Sequence, residues 1–283
     1  MKVIDQTLLE KVIIERSRHS HKGDYGRLLL LGGTYPYGGA IIMSAIAAVK
    51  SGAGLVTVGT DKENIPALHS HLPEAMAFSL KDKAILKEQL EKAEVILLGP
   101  GLREDAFGEE LVKRVFDSLR KEQILIVDGG ALGILAKGQF AFPSSLLILT
   151  PHQKEWERLS GIVLDHQNTE TTARSLSAFP QGTILVGKGP ATRIWQAGKR
   201  EYYQLEVGGP YQATGGMGDT LAGMIAGFAG QFHQASLYER VVVATHLHSA
   251  IAQELAQEHY LVLPTEISKA IPKTMKTISQ KGN

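Results

Sequence analysis

The sequence predicts an α/β fold, with a central, mostly parallel sheet flanked by helices and a small antiparallel hairpin at one edge. Three observations predict it. Short β-branched or Leu-rich runs alternate with longer stretches of helical period through the first two thirds of the chain. Most of these runs are apolar at successive positions, as strands covered on both faces must be. They end in Gly, Asp or Thr, at the carboxyl ends of strands where open α/β sheets bind their ligands.

Taken in order, Met1 to Ser17 mixes Asp5, Glu10, Lys11, Glu15 and Arg16 into an amphipathic pattern, without the apolar stretch and cleavage site of a secretory signal. The expected strands are Arg27 to Leu31, Leu55 to Gly59, Glu94 to Leu98, Ile124 to Val127, Leu146 to Leu149 and Thr183 to Val186. Between them lie helices such as Ala40 to Lys50, Phe107 to Arg120 and His152 to Leu159. Ala191 to Trp195 and Glu201 to Leu205 then flank Ala197-Gly198-Lys199-Arg200, which reads as an antiparallel hairpin at the sheet's edge. After Gly216 the pattern is almost wholly helical, with Asp219 to Ala229 and Leu237 to Glu258 strongly apolar. The lysine-bearing tail from Pro264 to Asn283 reads as a short surface helix that frays. No repeat, low-complexity tract or linker interrupts the chain, so residues 1–283 are read as one domain.

Composition narrows the function. Thirty Lys and Arg against 29 Asp and Glu leave a net charge of +1. Nucleic acid or an anionic membrane would therefore have to be held by a local basic patch, and none stands out. There is no cysteine, which excludes disulfides, thiolate metal sites and a Cys nucleophile, and fits a cytoplasmic protein. Any metal would need oxygen or histidine ligands, and the sequence offers no metal cluster. No apolar run approaches the roughly 18 residues of a membrane span. The 30 glycines in 283 residues exceed the usual share of roughly 7%.

Those glycines gather at strand ends: Gly32-Gly33-Thr34, Gly99-Pro100-Gly101, Asp128-Gly129-Gly130, Thr150-Pro151-His152 and Gly187-Lys188-Gly189. Five such segments on one rim point to a ligand site there, although each alone is an ordinary turn. The most specific segment is Ala213-Thr214-Gly215-Gly216-Met217-Gly218-Asp219, a glycine-rich loop entering a long apolar helix. Free amides of Gly215, Gly216, Met217 and Gly218 would form an anion nest suited to phosphate. Asp219 is either a first-turn carboxylate complementing the helix dipole or the group that takes or aligns a hydroxyl proton during phosphoryl transfer. Gly182 to Gly189 has Walker-like spacing but lacks the final Ser/Thr, and its middle reads as a strand. No G-x-G-x-x-G follows a strand, which disfavours an ordinary nicotinamide-binding Rossmann site. His246 and His248, two apart on a helix, cannot share a metal and read as packing or interface residues. His19 and His21 precede Lys22-Gly23-Asp24-Tyr25-Gly26, where a site role and a plain exposed loop remain open.

The order Gly32-Gly33, Gly99-Pro100-Gly101, Lys188-Gly189-Pro190-Ala191-Thr192 and Thr214-Gly215-Gly216-Met217-Gly218-Asp219 closely resembles the ADP/ATP-dependent NAD(P)H-hydrate dehydratases of the ribokinase-like superfamily. The resemblance extends from about His21 to Leu261, and includes Ser51-Gly52-Ala53-Gly54-Leu55-Val56-Thr57 and Leu149-Thr150-Pro151-His152. It implies a ribokinase-like fold and repair of NADHX and NADPHX, nicotinamide cofactors hydrated on the ring. Carried over by position, substrate contacts fall on Ala40, Gly101, His152 and Asp219. Nucleotide contacts fall on Lys188, Gly189, Pro190, Ala191, Thr192 and Gly218. Asp219 is the catalytic candidate. ADP, or less favoured ATP, is the expected co-substrate, with Mg²⁺ on its phosphates and Asp128 within reach of it through water. A homotetramer is expected by analogy. No part of the chain corresponds to the epimerase domain of some relatives, and the N-terminal 20 residues leave no room for it, so a separate epimerase is expected. Three segments depart from the family pattern: Gln153-Lys154-Glu155 for Pro-Gly-Glu, Asp128-Gly129-Gly130-Ala131-Leu132 for an Asp-Ala-Asp-Ala-Leu type, and Gly208-Gly209-Pro210-Tyr211-Gln212 for Gly-Asn-Pro-Gly-Met. The competing readings are a ribokinase-like vitamin-precursor kinase and a nucleotide-binding module without catalysis.

Overall fold

A computed structural model describes residues 1–138 and 140–281. In chain order the elements are α1 (Gln6–Val12), β1 (Arg27–Leu31), α2 (Gly38–Lys50), β2 (Leu55–Thr60), α3 (Ile65–His71), β3 (Met76–Ser79), α4 (Lys83–Lys92), β4 (Val95–Leu98), α5 (Ala106–Ser118), β5 (Ile124–Val127) and α6 (Gly130–Leu135). They continue with β6 (Leu146–Leu149), α7 (Gln153–Ser160), α8 (Thr169–Leu176), β7 (Ile184–Gly187), β8 (Arg193–Gln196), β9 (Tyr202–Gln204), α9 (Met217–Ala229), α10 (Leu237–Leu255) and α11 (Pro264–Ser279). One sheet runs in the order β3-β2-β1-β4-β5-β6-β7-β8-β9. Its first seven members are parallel, and β8 and β9 complete an antiparallel edge.

Alternation along the strands divides the core. Leu28, Leu30, Val56, Val58, Val95 and Leu97 pack with α2, α9, α10 and α11 on one face. Leu29, Leu31, Ile96, Leu98, Leu125 and Val127 pack with the α4 to α8 side on the other. Both faces being covered explains the unbroken apolar runs in the sequence. β1 pairs with β2 on one side and β4 on the other, so the chain order reverses between them. A crevice opens at such a switch point because the flanking connections leave toward opposite faces.

Two sequence expectations need correction. β3 was not expected: its four residues include an exposed Met76 and lie at the sheet's edge, so they lack the apolar density of the inner strands. The tail is not a short fraying helix. α11 is 16 residues long, buries Ile267, Ile271 and Ile278, and packs on α2 and α10. That spacing of isoleucines is a helical stripe, which charge at the intervening lysines obscured.

α2 and α9 approach closely because glycine lines their contact. A Cβ on Gly223 would overlap the Ser44 carbonyl, and one on Gly227 would press on Ser51 and Ala48. This contact sets the N-termini of both helices at the same rim of the sheet.

Candidate active site

The five rim segments are joined edge to edge. Gly33 N donates to Pro100 O at 2.8 Å and Thr34 N to Gly101 O at 2.9 Å. Thr150 Oγ1 donates to Asp128 Oδ1 at 2.6 Å. Lys188 N donates to Pro151 O at 2.9 Å, which places the loop after β7 against the turn that starts α7. Glycine permits this nesting: Gly99, at φ +120°, leaves room for the Asp128 carbonyl, which a Cβ would overlap. Gly101, at φ +64°, lies against Ala40, whose Cβ would be 3.0 Å from one on Gly101. The structure thus brings Ala40 and Gly101 together at the switch point.

Asp219 follows them across a short link. Ser44 Oγ lies 3.1 Å from Ala40 O and 2.8 Å from Asp219 O, tying the first turns of α2 and α9. α9 begins at Met217 after Gly216, which adopts φ +94°. The amides of Gly215, Gly216, Met217 and Gly218 donate to no group among the described residues. Such a row of free N–H groups at a helix start is an anion site in need of a ligand.

Lys188 completes the positive side. Its Nζ donates to Asp128 Oδ1 at 2.9 Å and lies 3.0 Å from the place a Cβ would take on Gly218. Asp128, 2% exposed, is therefore shared by Thr150 and Lys188. Burial pulls the Lys188 pKa down, but Asp128 and Glu155 outweigh it and hold the ammonium charged above its usual range. Asp219 moves oppositely. Burial first, then the Asp128 charge, push its pKa up to about 6 against the attraction of Lys188. Glu155 is likewise raised, chiefly by burial. Three carboxyl groups lie around one ammonium, and the extra negative charge favours a proton on Asp219 and Glu155.

His152 caps α7. Its Nδ1 accepts from Lys154 N and Glu155 N, both at 3.1 Å, while its own amide donates to Glu155 Oε2 at 2.8 Å. An accepting Nδ1 leaves the neutral ring's proton on Nε2, which is 3.6 Å from Glu155 Oε1. Gln153-Lys154-Glu155 therefore retains a capping box after His152.

Gly189, Pro190 and Thr192 line a cavity of about 530 Å³ with Lys188, Met217 and Gly218. Ala191 instead faces a neighbouring cavity of about 240 Å³, which Lys188, Gly189, Pro190 and His152 share. The larger volume suits a nucleotide-sized ligand. Sequence reasoning missed Glu155 and Ser44, and it set His248 aside as a packing or interface residue although it lines the larger cavity. A polar residue three positions after the His152 cap was the available signal for Glu155; nothing local marks Ser44. His21 binds Asp24 at 3.1 Å and is exposed. Its segment leads into the amino end of β1, with Tyr25 O accepting from Gly54 N, so it lies at the rim opposite the site. Among the described residues no group of three or more His, Cys, Asp or Glu could hold a metal by itself.

This sheet order, with a glycine nest entering a helix beside the switch point, is that of a ribokinase-like α/β protein. The family described as NAD(P)H-hydrate dehydratase matches residues 28–273. A Streptococcus pneumoniae protein named ADP-dependent (S)-NAD(P)H-hydrate dehydratase is 79% identical over 281 residues, covering 99% of this chain and 97% of its own. A ribokinase-like superfamily protein from Enterococcus faecalis is 42% identical with a TM-score of 0.94, over 99% of this chain and 96% of that one. The Bacillus subtilis ADP/ATP-dependent NAD(P)H-hydrate dehydratase, co-crystallised with ATP and Mg²⁺, is 28% identical with a TM-score of 0.83, over 97% of each chain. The chain belongs to the NAD(P)H-hydrate dehydratase family.

Proposed function

We propose that this protein dehydrates the S epimer of NADHX and NADPHX, using ADP as phosphoryl donor, at the site formed by Ala40, Gly101, His152 and Asp219. The observation that carries the reading is the Asp219 carboxylate at the start of α9, beside four unpaired amides and the Lys188 ammonium. ADP occupies the larger cavity, its phosphates on the nest of Gly215 to Gly218 and under Lys188. The hydrated ring lies against Ala40 and Gly101, with its hydroxyl toward Asp219.

Asp219, ionised above about pH 6, takes the hydroxyl proton as the oxygen attacks the β-phosphorus. The bond to the bridging oxygen breaks and AMP leaves, its developing charge met by the nest and Lys188. The ring nitrogen's lone pair then expels phosphate, and the resulting iminium loses a proton from the adjacent ring carbon to give NAD(P)H. Products are NAD(P)H, AMP and phosphate. His152, held by its cap with its proton on Nε2, donates from there to the substrate.

Mg²⁺ fits a site of this kind when chelated mainly by the nucleotide phosphates, with Asp128 or Asp219 as the nearby carboxylates, and it would neutralise phosphate charge there. The R form, where it arises, needs a separate epimerase before it can react here, and the active form is a cytoplasmic homo-oligomer, a tetramer by analogy.

The test is recovery of reduced-nicotinamide absorbance from NADHX with Mg²⁺ and either ADP or ATP. ADP-dependent recovery is expected, reduced about 10²–10⁴-fold in Asp219→Asn. Recovery that survives this substitution would remove the chemistry from α9.

A further inference from the structure

The α10 wall of the larger cavity holds a histidine that the proposed chemistry does not use. His248 is 4% exposed, and its Nε2 is closed to solvent with no partner among the described residues. Its neighbours Leu247 and Ile251 on the same helix are buried and apolar. An unpaired buried nitrogen is costly in such surroundings and calls for a ligand.

The position of the ring narrows what that ligand is. His248 shares the cavity wall with Lys188, Met217 and Gly218, where the nest receives phosphate, and it senses both the Lys188 charge and the Met217 backbone. The cavity continues from there toward Val207, Pro210 and Leu221. In a nucleoside diphosphate the sugar follows the phosphates directly. Burial and Lys188 keep the imidazole uncharged, and with its one N–H given to the Met217 backbone it presents Nε2 as an acceptor, the complement of a hydroxyl that gives a hydrogen bond.

We propose that His248 hydrogen-bonds a ribose hydroxyl of the bound ADP and so makes the site selective for ribonucleotides over deoxynucleotides. The proposal rests on the reading of this cavity as the ADP site. It is tested by calorimetric titration of the folded protein with ADP, 2′-deoxyADP and 3′-deoxyADP, and by the same titrations of His248→Leu and His248→Gln. The intact protein is expected to bind ADP about tenfold more tightly than one of the two deoxy analogues. His248→Leu is expected to weaken ADP to the level of that analogue and to bind all three alike, while His248→Gln keeps part of the preference. A merely structural role would weaken all three together and leave their ratio unchanged. Equal binding of all three by the intact protein overturns the inference without recourse to any variant, as does a preference that persists in folded His248→Leu. Absence of ADP binding to the intact protein would instead refute the cavity assignment, and this proposal with it.

Discussion

Asp219 is useful because its surroundings disfavour its charge. With a pKa raised to about 6 by burial and by Asp128, it is ionised at neutral pH yet basic enough to take a hydroxyl proton. The rate should therefore rise with pH through about 6 and level off above it, since only the carboxylate can accept the proton. Asp128→Asn removes one of the charges that raise Asp219, so the acid limb should move to lower pH. The same change frees Lys188, whose Nζ pairs with Asp128 at 2.9 Å. ADP KM should rise as the ammonium over Gly218 loses its support, and breaking this largely buried pair should cost about 3 kcal/mol in urea unfolding. An unmoved acid limb in folded Asp128→Asn would sever Asp128 from the titration of Asp219. How far the sequence reveals such residues depends on whether a role is local. Asp219, Gly216 and Gly218 stand in one contiguous loop whose chemistry can be read in place. Asp128 and Lys188 meet only because β5, β6 and β7 are neighbours in the sheet, and Ser44 acts only because α2 lies against α9.

Among the elements, α2 and α9 carry the site jointly: one brings Ala40 and the other the nest, and their spacing is set by small residues. Gly223 has no room for a methyl group, because a Cβ would overlap the Ser44 carbonyl, a backbone atom that cannot rotate away. Gly223→Ala should destabilise the fold by about 1–3 kcal/mol through overpacking, despite alanine's better helix propensity. It should also lower kcat, because the displaced helix carries Asp219. A thermal midpoint equal to or above that of the unaltered protein would show that the helices part without strain. The inner strands were legible in the sequence for a related reason. Arg27 to Leu31, Ile124 to Val127 and Leu146 to Leu149 match the observed strands because burial on both faces demands apolar runs. β3 escaped notice because an edge strand is under weaker demand, and α11 because its isoleucine stripe is interleaved with lysines. β3 supplies no residue that the site uses, and α11 meets it only at Pro264, which backs Gly216 of the nest, so the site could be placed without them.

At the scale of the whole molecule, the active site opposes itself in the pH dependence of stability. Asp219 binds its proton more tightly folded than unfolded, with a pKa of about 6 against 3.8, so its contribution falls as pH rises between those values. His248 does the reverse. Burial and Lys188 lower its pKa to about 4 from 6.5, so the unfolded chain gains a proton first, and stability falls as pH drops through that interval. Each shift spans roughly two units, an upper bound of about 3 kcal/mol, and between pH 4 and 6 the two nearly cancel. Asp219→Asn removes one side of this balance. Its stability should therefore rise from pH 4.5 to pH 6.5 by about 3 kcal/mol at most, while the unaltered protein changes little in that window. At pH 7 the variant should be the more stable of the two, because it no longer buries a carboxylate charge near Asp128 and Glu155. Urea unfolding at several pH values decides the matter. Parallel curves would mean that Asp219 titrates alike folded and unfolded, and the raised acid limb expected in the rate would then need another group. A divergence that opens with rising pH would show that the charge placed at α9 for chemistry is held there against the stability of the fold.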